Sequence, residues 1–327
     1  MLSTRLDILL ASDSFALPET GRIAVVGPNA GTDLGMLPKD RVTVVQRFFP
    51  DHQAFAQAGF QTEVSLTGPY GMAIVALPRA KADGKALIAA ARTATDGLIL
   101  VDGQKTDGID SVLKDLKTRA TVREVLSKAH GKICVIEGGN FDDWKARPSE
   151  VEGFVTHPGV FSADGIDPGS AALIAALPDA ISGHVVDLGA GWGVLAKAAL
   201  DRGATSVDLV EADHLALDAA RQNIDDPGAR FHWADARTFT PETPAKHILC
   251  NPPFHTSRNA DPSLGQAFIK NARAILSRHG TLWLVANRHL PYERTLEEAF
   301  ASLETVDQIA GYKIIRAERP RPLRTGK

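Results

Sequence analysis

The 327-residue chain is poor in the features that mark several protein classes. Its two cysteines, Cys134 and Cys250, cannot build a disulfide framework and lie at no metal-ligand spacing, so neither a disulfide scaffold nor a metal site is expected. No run approaches the ~20 apolar residues needed to cross a bilayer. The apolar patch within Met1 to Leu10 is interrupted by Asp7, and no signal-peptide pattern follows it. A protein of the reducing cytoplasm with no membrane partner is therefore expected. Charge of one sign is also lacking. The formal net charge is −3 and the pI is near 6.4. Residues 1–160 carry 18 basic and 19 acidic side chains, and residues 161–327 carry 18 and 20. That balance excludes a nonspecific nucleic-acid coat, so any nucleic-acid contact must come from local patches. The clearest patch is the tail from Arg316 to Lys327, which reads equally well as a solubilising end. Nothing in the pattern specifies an oligomer, and a monomer is the expectation.

A hydrophobic content of 44% and a mean hydropathy of −0.07 are ordinary for a globular protein. The length exceeds what one core usually supports and predicts two domains, 1–150 and 151–327. In the second, His184-Val-Val-Asp-Leu-Gly-Ala-Gly-Trp-Gly-Val-Leu195 passes from a β-branched run through glycines into an Ala-rich helix. This is the first βα turn of a doubly wound α/β sheet. Gly189 and Gly191 let the backbone approach a ligand where a Cβ would collide. A dinucleotide loop would want its third small residue at Val194, whereas this chain places Gly193 one position earlier. Asp187 in the strand end suits a ligand carrying an ammonium group better than a pyrophosphate. The next strand, Ser206 to Val210, ends on Glu211, placed to accept hydrogen bonds from ribose hydroxyls. The third, Ala229 to Trp233, leads to Asp235, which could accept from an adenine amino group or cap a helix.

The fourth strand end is Ile248-Leu-Cys-Asn-Pro-Pro-Phe-His255. Asn-Pro-Pro can simply terminate a strand. It can also aim a planar amine at an electrophile. An exocyclic amine on a nucleobase is a weak nucleophile, because its lone pair is delocalised into the ring. Two acceptors out of the base plane, the Asn251 side-chain oxygen and the Pro252 carbonyl, favour a pyramidal nitrogen and free that lone pair. Pro253 stiffens the turn, and Phe254 offers a face for stacking a base. His255 and Asn287 are candidates for orienting the base. Asp187, Glu211, Asp235 and Asn251 thus fall at the carboxyl ends of four strands, the edge where ligands bind in such sheets.

These motifs carry a resemblance. From about Pro158 to Arg319 the chain resembles the class I S-adenosylmethionine-dependent methyltransferases, and more narrowly the ribosomal RNA small-subunit methyltransferase C group. The narrowing rests on Pro158-Gly-Val-Phe-Ser162 with Asp164-Gly165, Asp167 and Gly169-Ser170, on Asn251 to His255, and on Val285-Ala-Asn287 with Leu290-Pro-Tyr292. The resemblance implies S-adenosyl-L-methionine as cofactor, the N2 amine of a guanine in 16S rRNA as substrate, and the 30S ribosomal subunit as partner. It implies that residues 161–170 lie over the cofactor, making Asp167 and Ser170 cofactor-side contacts, although helix capping explains both. Three alternatives stay open: the same chemistry on a 23S rRNA guanine, a DNA adenine or a release-factor glutamine; a non-enzymatic RNA-binding ribosome-assembly protein; and an NAD-linked enzyme.

Residues 1–137 repeat the strand–helix rhythm. Arg22–Val26, Arg41–Val45, Met72–Ala76 and Gly97–Val101 read as first, second, fourth and fifth strands, with helices at Lys85–Thr93 and Gly108–Leu116. At the ligand edge Val25 stands for Asp187, Gln46 for Glu211, and Leu77-Pro78-Arg79 for Asn251-Pro252-Pro253. This half reads as a degenerate methyltransferase-like copy without a cofactor site, giving two tandem Rossmann-like seven-stranded domains. Arg47, Arg79, Lys81 and Lys85 are its candidates for holding RNA.

Overall fold

Two compact units divide the chain, Met1–Pro148 and Ser149–Lys327. The computed structural model describes every residue except 1, 254–261, 310 and 323–327. Phe254 and His255 of the expected site lie outside the described residues.

The first unit holds strands β1 (Ile23–Val26), β2 (Val42–Val45), β3 (Gln61–Glu63), β4 (Met72–Ala76), β5 (Ile99–Gln104), β6 (Thr121–Lys128) and β7 (Gly131–Glu137). Helices α1 (Leu2–Leu10), α2 (Phe49–Gln57), α3 (Lys81–Ala94) and α4 (Ile109–Leu116) flank them. The second unit opens with a hairpin, β8 (Ser149–Val151) and β9 (Phe154–Thr156), then helix α5 (Pro168–Ala176). Its sheet comprises β10 (Gly183–Leu188), β11 (Ala204–Glu211), β12 (Ala229–Trp233), β13 (Ala245–Cys250), β14 (Leu276–Asn287), β15 (Phe300–Ile309) and β16 (Tyr312–Pro320). Helices α6 (Val194–Asp201), α7 (His214–Asn223), α8 (Pro262–Ile275) and α9 (Glu293–Ala299) complete it.

The spatial orders are β3-β2-β1-β4-β5-β7-β6 and β12-β11-β10-β13-β14-β16-β15. Each sheet is parallel except around its penultimate member, β7 or β16, which runs antiparallel to both neighbours. The expected tandem seven-stranded α/β architecture is what the chain adopts. Central strands such as Ile-Ala-Val-Val in β1 are buried throughout, as parallel strands covered by helices on both faces must be. The copies also agree in sequence. Helices α3 and α8 each have 14 residues, with glycine fourth (Gly84, Gly265) and Ala86/Ala267, Ile88/Ile269, Ala91/Ala272 and Arg92/Arg273 at matching places.

Strand register corrects one expected correspondence. Val26 pairs with Val45 and Val75, and Leu188 pairs with Val210 and Cys250. Val25 therefore does match Asp187, and Gln46 matches Glu211. Asn251, however, matches Ala76 rather than Leu77, one rung earlier than the sequence reading, because the ladder aligns Cys250 with Val75.

Side chains at the first unit's ligand edge bond to one another. Gln46 donates from Nε2 to the Pro28 carbonyl at 2.7 Å and accepts from the Phe48 N–H at 2.9 Å. Arg47 makes two 2.9 Å bonds to the Asp83 carboxylate. Lys85 pairs with Asp115 at 2.8 Å and Lys81 donates to Ser111 Oγ at 2.7 Å. Arg47, Lys81 and Lys85, the candidates for holding RNA, each have an acidic or hydroxyl partner on a neighbouring helix. From α1, the fully buried Arg5 grips Asp102 at 2.5 and 2.8 Å.

Candidate active site

The carboxyl ends of β12, β11, β10 and β13 are spatial neighbours in that order. Strands leave β10 in opposite directions through the sheet, so the gap between β10 and β13 is the switch point where such folds bind ligands. Asp187 is the penultimate residue of β10, Glu211 the last of β11, and Asn251 follows β13 directly. Asp235 lies two residues past β12.

The turn after β10 separates the roles of its glycines. All three have left-handed backbones, with φ of 80°, 55° and 93° at Gly189, Gly191 and Gly193. A Cβ on Gly191 would meet nothing within 4 Å, so this position fronts open space. A Cβ on Gly193 would come within 2.9 Å of Ile224 Cδ1 and 3.3 Å of Ala220 Cβ. Gly193, expected to face a ligand, serves the approach of α7 and the N-terminus of α6.

Asp187 is completely buried, and both its carboxylate oxygens lack a hydrogen-bond partner among the described residues. Burial pushes its carboxyl up to about 8; the Ala196 N–H, outside hydrogen-bond geometry, opposes the rise, and the Glu211 charge adds to it. A buried, orphaned carboxylate is costly without a cationic partner. Glu211 accepts from the Gly191 N–H at 2.8 Å and the Asp213 N–H at 2.7 Å, which ties β11 to the glycine turn. Burial raises its carboxyl too, against those backbone hydrogen bonds. Each oxygen keeps lone pairs for a further donor such as a ribose hydroxyl.

Asn251 is held by residues over 80 positions away. Its Nδ2 donates to Asp167 Oδ2 at 2.8 Å and to Ser170 Oγ at 2.9 Å. Asp167 is the N-cap of α5, accepting from the Ser170 N–H at 2.9 Å. The described contacts of Asp167 and Ser170 thus anchor the amide nitrogen and turn the Asn251 oxygen the other way. Pro252 is buried and Pro253 is exposed. Asp235 is gripped by Arg237, whose guanidinium bonds span 2.6 to 2.9 Å, and it accepts from the Arg237 N–H at 2.8 Å. A turn rather than a helix follows it. Asn287 accepts from the His289 N–H at 3.1 Å, fixing the loop after β14.

A cleft in this unit is lined by Phe161, Ser162, Asp167, Ser170, Gly189 to Trp192, Val194, Leu195 and Asn251. Three supports escaped the sequence reading. Trp192 Nε1 donates to the Phe161 carbonyl at 2.9 Å, joining residues 158–165 to the glycine turn. Asn223 donates to the Trp192 and Val155 carbonyls, both at 2.9 Å. The buried Lys313 ammonium holds the Leu290 carbonyl at 2.8 Å and the Glu293 carboxylate. None follows from local pattern, since each partner is at least 20 residues distant.

The groups present fit the sulfonium cofactor that the resemblance implies. Asp187 is a buried carboxyl without a partner, which a cation would hold ionised; Glu211 keeps lone pairs for ribose hydroxyls, and Gly191 fronts open space. Among the described residues, no group of three or more His, Cys, Asp or Glu could hold a metal, and no helix is long and apolar enough to cross a membrane.

Comparison with known proteins agrees with this geometry. The ribosomal RNA large subunit methyltransferase G of Shewanella amazonensis is 34% identical over 165 residues, 48% of this chain and 43% of its own length. The match thus spans under half of that relative. The ribosomal RNA small subunit methyltransferase C of Alteromonas mediterranea is 27% identical over 351 residues, covering 94% of this chain and 97% of its own. The solved structure of the T. thermophilus 16S rRNA N2 methyltransferase RsmC, in complex with AdoMet and guanosine, superposes with a TM-score of 0.78 at 25% identity, over 97% of this chain and 92% of that one. Residues 152–316, half of the sequence, match the family model described as the methyltransferase small domain, and the chain belongs to that family.

Proposed function

We propose that this chain transfers a methyl group from S-adenosylmethionine to the exocyclic N2 amine of a guanine in 16S rRNA, with the small ribosomal subunit as partner. The observation that carries the reading is Asn251, anchored through its amide nitrogen in the wall of the cleft that also contains the glycine turn. Likeness over nearly the full length to a small subunit methyltransferase C supports the choice of substrate.

The cofactor, when bound, supplies a methyl group already activated on sulfur. The chain's own work is proximity and alignment, which contribute up to roughly 7–11 kcal/mol in ideal cases. Asp187 takes the cationic end of the cofactor, Glu211 the ribose, and Asp235 the adenine edge. The Asn251 oxygen and the Pro252 carbonyl accept from the amine and expose its lone pair to the methyl. Pro253 fixes the turn, and Phe254 and His255 hold the ring of the base. A guanine amine in a paired helix cannot be reached in line, so the base must be unpaired or flipped into the cleft. No strong base is required, because the alkylated amine sheds its proton to water. The first unit, with Gln46 and Arg47 closing its own ligand edge, acts as a silent copy that supports the second.

The test is to incubate the purified chain with labelled S-adenosylmethionine and separate 30S and 50S subunits or their naked rRNAs, then map the label by mass spectrometry. N2-methylguanine confined to 16S rRNA is expected. Label in 23S rRNA would favour a second reading, motivated by the 34% identity to a large subunit methyltransferase G. Cofactor binding without any transfer would favour an RNA-binding assembly protein.

A further inference from the structure

We propose that the Phe161 ring is a stacking surface for a nucleobase of the substrate, a contact distinct from the Phe254 that the motif suggests. The proposal rests on the methyltransferase reading and adds a residue to it. Phe161 is 59% exposed, yet it lines the same cleft as Asn251. Single exposed apolar side chains are ordinary on a surface. The backbone that carries this one is held in place, which is not ordinary. Its carbonyl accepts from the buried Trp192 indole at 2.9 Å. Val160 beside it is buried with Trp192, Ala216 and Ala219. The segment is closed by the Ser162 hydroxyl on the Gly165 carbonyl at 2.7 Å and the Thr156 hydroxyl on the Ala163 carbonyl at 2.8 Å. Ser162 takes a left-handed backbone with φ of 54°, a conformation a non-glycine residue keeps only where its surroundings impose it.

The chain thus fixes the backbone that carries an exposed aromatic side chain at the cleft that holds the amine-aligning Asn251. An exposed ring of that kind suits a flat heterocycle, because every base has a π-face and stacking needs no particular edge. Trp192 belongs to the glycine turn, so the backbone of Phe161 is tied to the element proposed to receive the cofactor. The occupant we assign is the target base or the base next to it in single-stranded RNA.

The test uses the full chain loaded with S-adenosylhomocysteine, which has no methyl to transfer. Wild type, Phe161→Ala, Phe161→Leu and Phe161→Tyr are compared for binding of guanosine, adenosine and cytidine by ligand-observed NMR, and of S-adenosylhomocysteine by calorimetry. Loss of one stacking partner is expected to weaken nucleoside binding about 5- to 100-fold in the alanine and leucine variants. The tyrosine variant should stay near wild type, and all four should bind S-adenosylhomocysteine alike. Unchanged nucleoside binding in Phe161→Ala overturns the proposal. So does an equal loss of S-adenosylhomocysteine affinity in the alanine and leucine variants, which would make the ring a cofactor wall, and so does a wild type that binds no nucleoside. If Phe161→Ala does not fold, the leucine and tyrosine variants still decide between stacking and bulk. Phe161-dependent binding of adenosine but not guanosine would sink the guanine reading and leave the stacking surface standing.

Discussion

Asn251 Nδ2 lies 2.8 Å from Asp167 Oδ2, so the end of β13 and the cap of α5 are one hydrogen-bonded unit. An amide offers a donor end and an acceptor end. Occupying the donor end with Asp167 and Ser170 fixes which end faces the cleft. Asp167→Ala and Ser170→Ala should therefore slow methyl transfer about 10- to 100-fold through misplacement of the acceptor. Asp167→Ala should also lose about 1 kcal/mol of stability as a missing N-cap. Single-turnover rates and thermal melts on the same samples separate the two effects.

The orphaned Asp187 leads to a sign-dependent expectation. Its carboxyl is pushed up to about 8 in the folded chain, against a value near 4 when unfolded. The folded state therefore holds a proton that the unfolded state gives up, and stability present below about pH 4 is lost as pH rises toward 8. Asp187→Asn should stabilise the cofactor-free protein by about 1–3 kcal/mol at pH 7.5, the gain being limited by the buried amide it leaves unpaired. The same variant should bind S-adenosylmethionine at least tenfold more weakly. In the wild type, affinity should rise with pH up to about 8, as the carboxylate becomes available to a cation. Denaturant titrations and calorimetry across pH 6–9 check all three.

Gly191 and Gly193 should respond differently to alanine. Both pay for a left-handed backbone, about 1–2 kcal/mol. At Gly191 the new methyl enters open space and should weaken cofactor binding beyond any change in stability. At Gly193 it meets Ile224 and Ala220, so stability should fall further, by about 2–4 kcal/mol in all, with cofactor affinity of the folded fraction less affected. Melting temperatures plotted against dissociation constants resolve the pair.

Away from the cleft, Asp208 is buried in the sheet. Burial raises its carboxyl, but hydrogen bonds from His184, His232 and Arg230 outweigh that and hold it far below the usual carboxylate range. This contribution is complete above the unfolded value near 4 and fades as pH falls below it. Asp208→Asn should cost the second unit about 2–3 kcal/mol at pH 7, somewhat less than a fully buried pair because Arg230 and His232 reach solvent. The gap from wild type should narrow below pH 4 in urea titrations.

Much of the fold was legible because its signals are local. The β-branched runs of β1, β4 and β10 read directly as buried parallel strands, and Asp187 to Gly193 and Asn251 to Pro253 marked the ligand edge. Strand β3, Gln61–Glu63, carries no apolar signal and emerges only from pairing with β2. Helix α3 begins at Lys81, four residues before the sequence suggested, because Lys-Ala-Asp-Gly looks like a loop until Asp83 pairs with Arg47. The true task of Gly193 depends on α7, and the anchoring of Asn251 on a cap 84 residues earlier. Distances of that kind are set by the whole fold, beyond the reach of spacing.

Asn251 is assigned the alignment of an amine for methyl transfer, with little share in holding the cofactor. Asn251→Ala, compared with wild type in single-turnover transfer to 30S subunits and in S-adenosylmethionine calorimetry, tests it most directly. A rate reduced about 100- to 1,000-fold is expected, the scale for losing one aligned hydrogen-bonding group, with cofactor affinity within a few-fold of wild type. Transfer at the wild-type rate in a folded Asn251→Ala protein would contradict it.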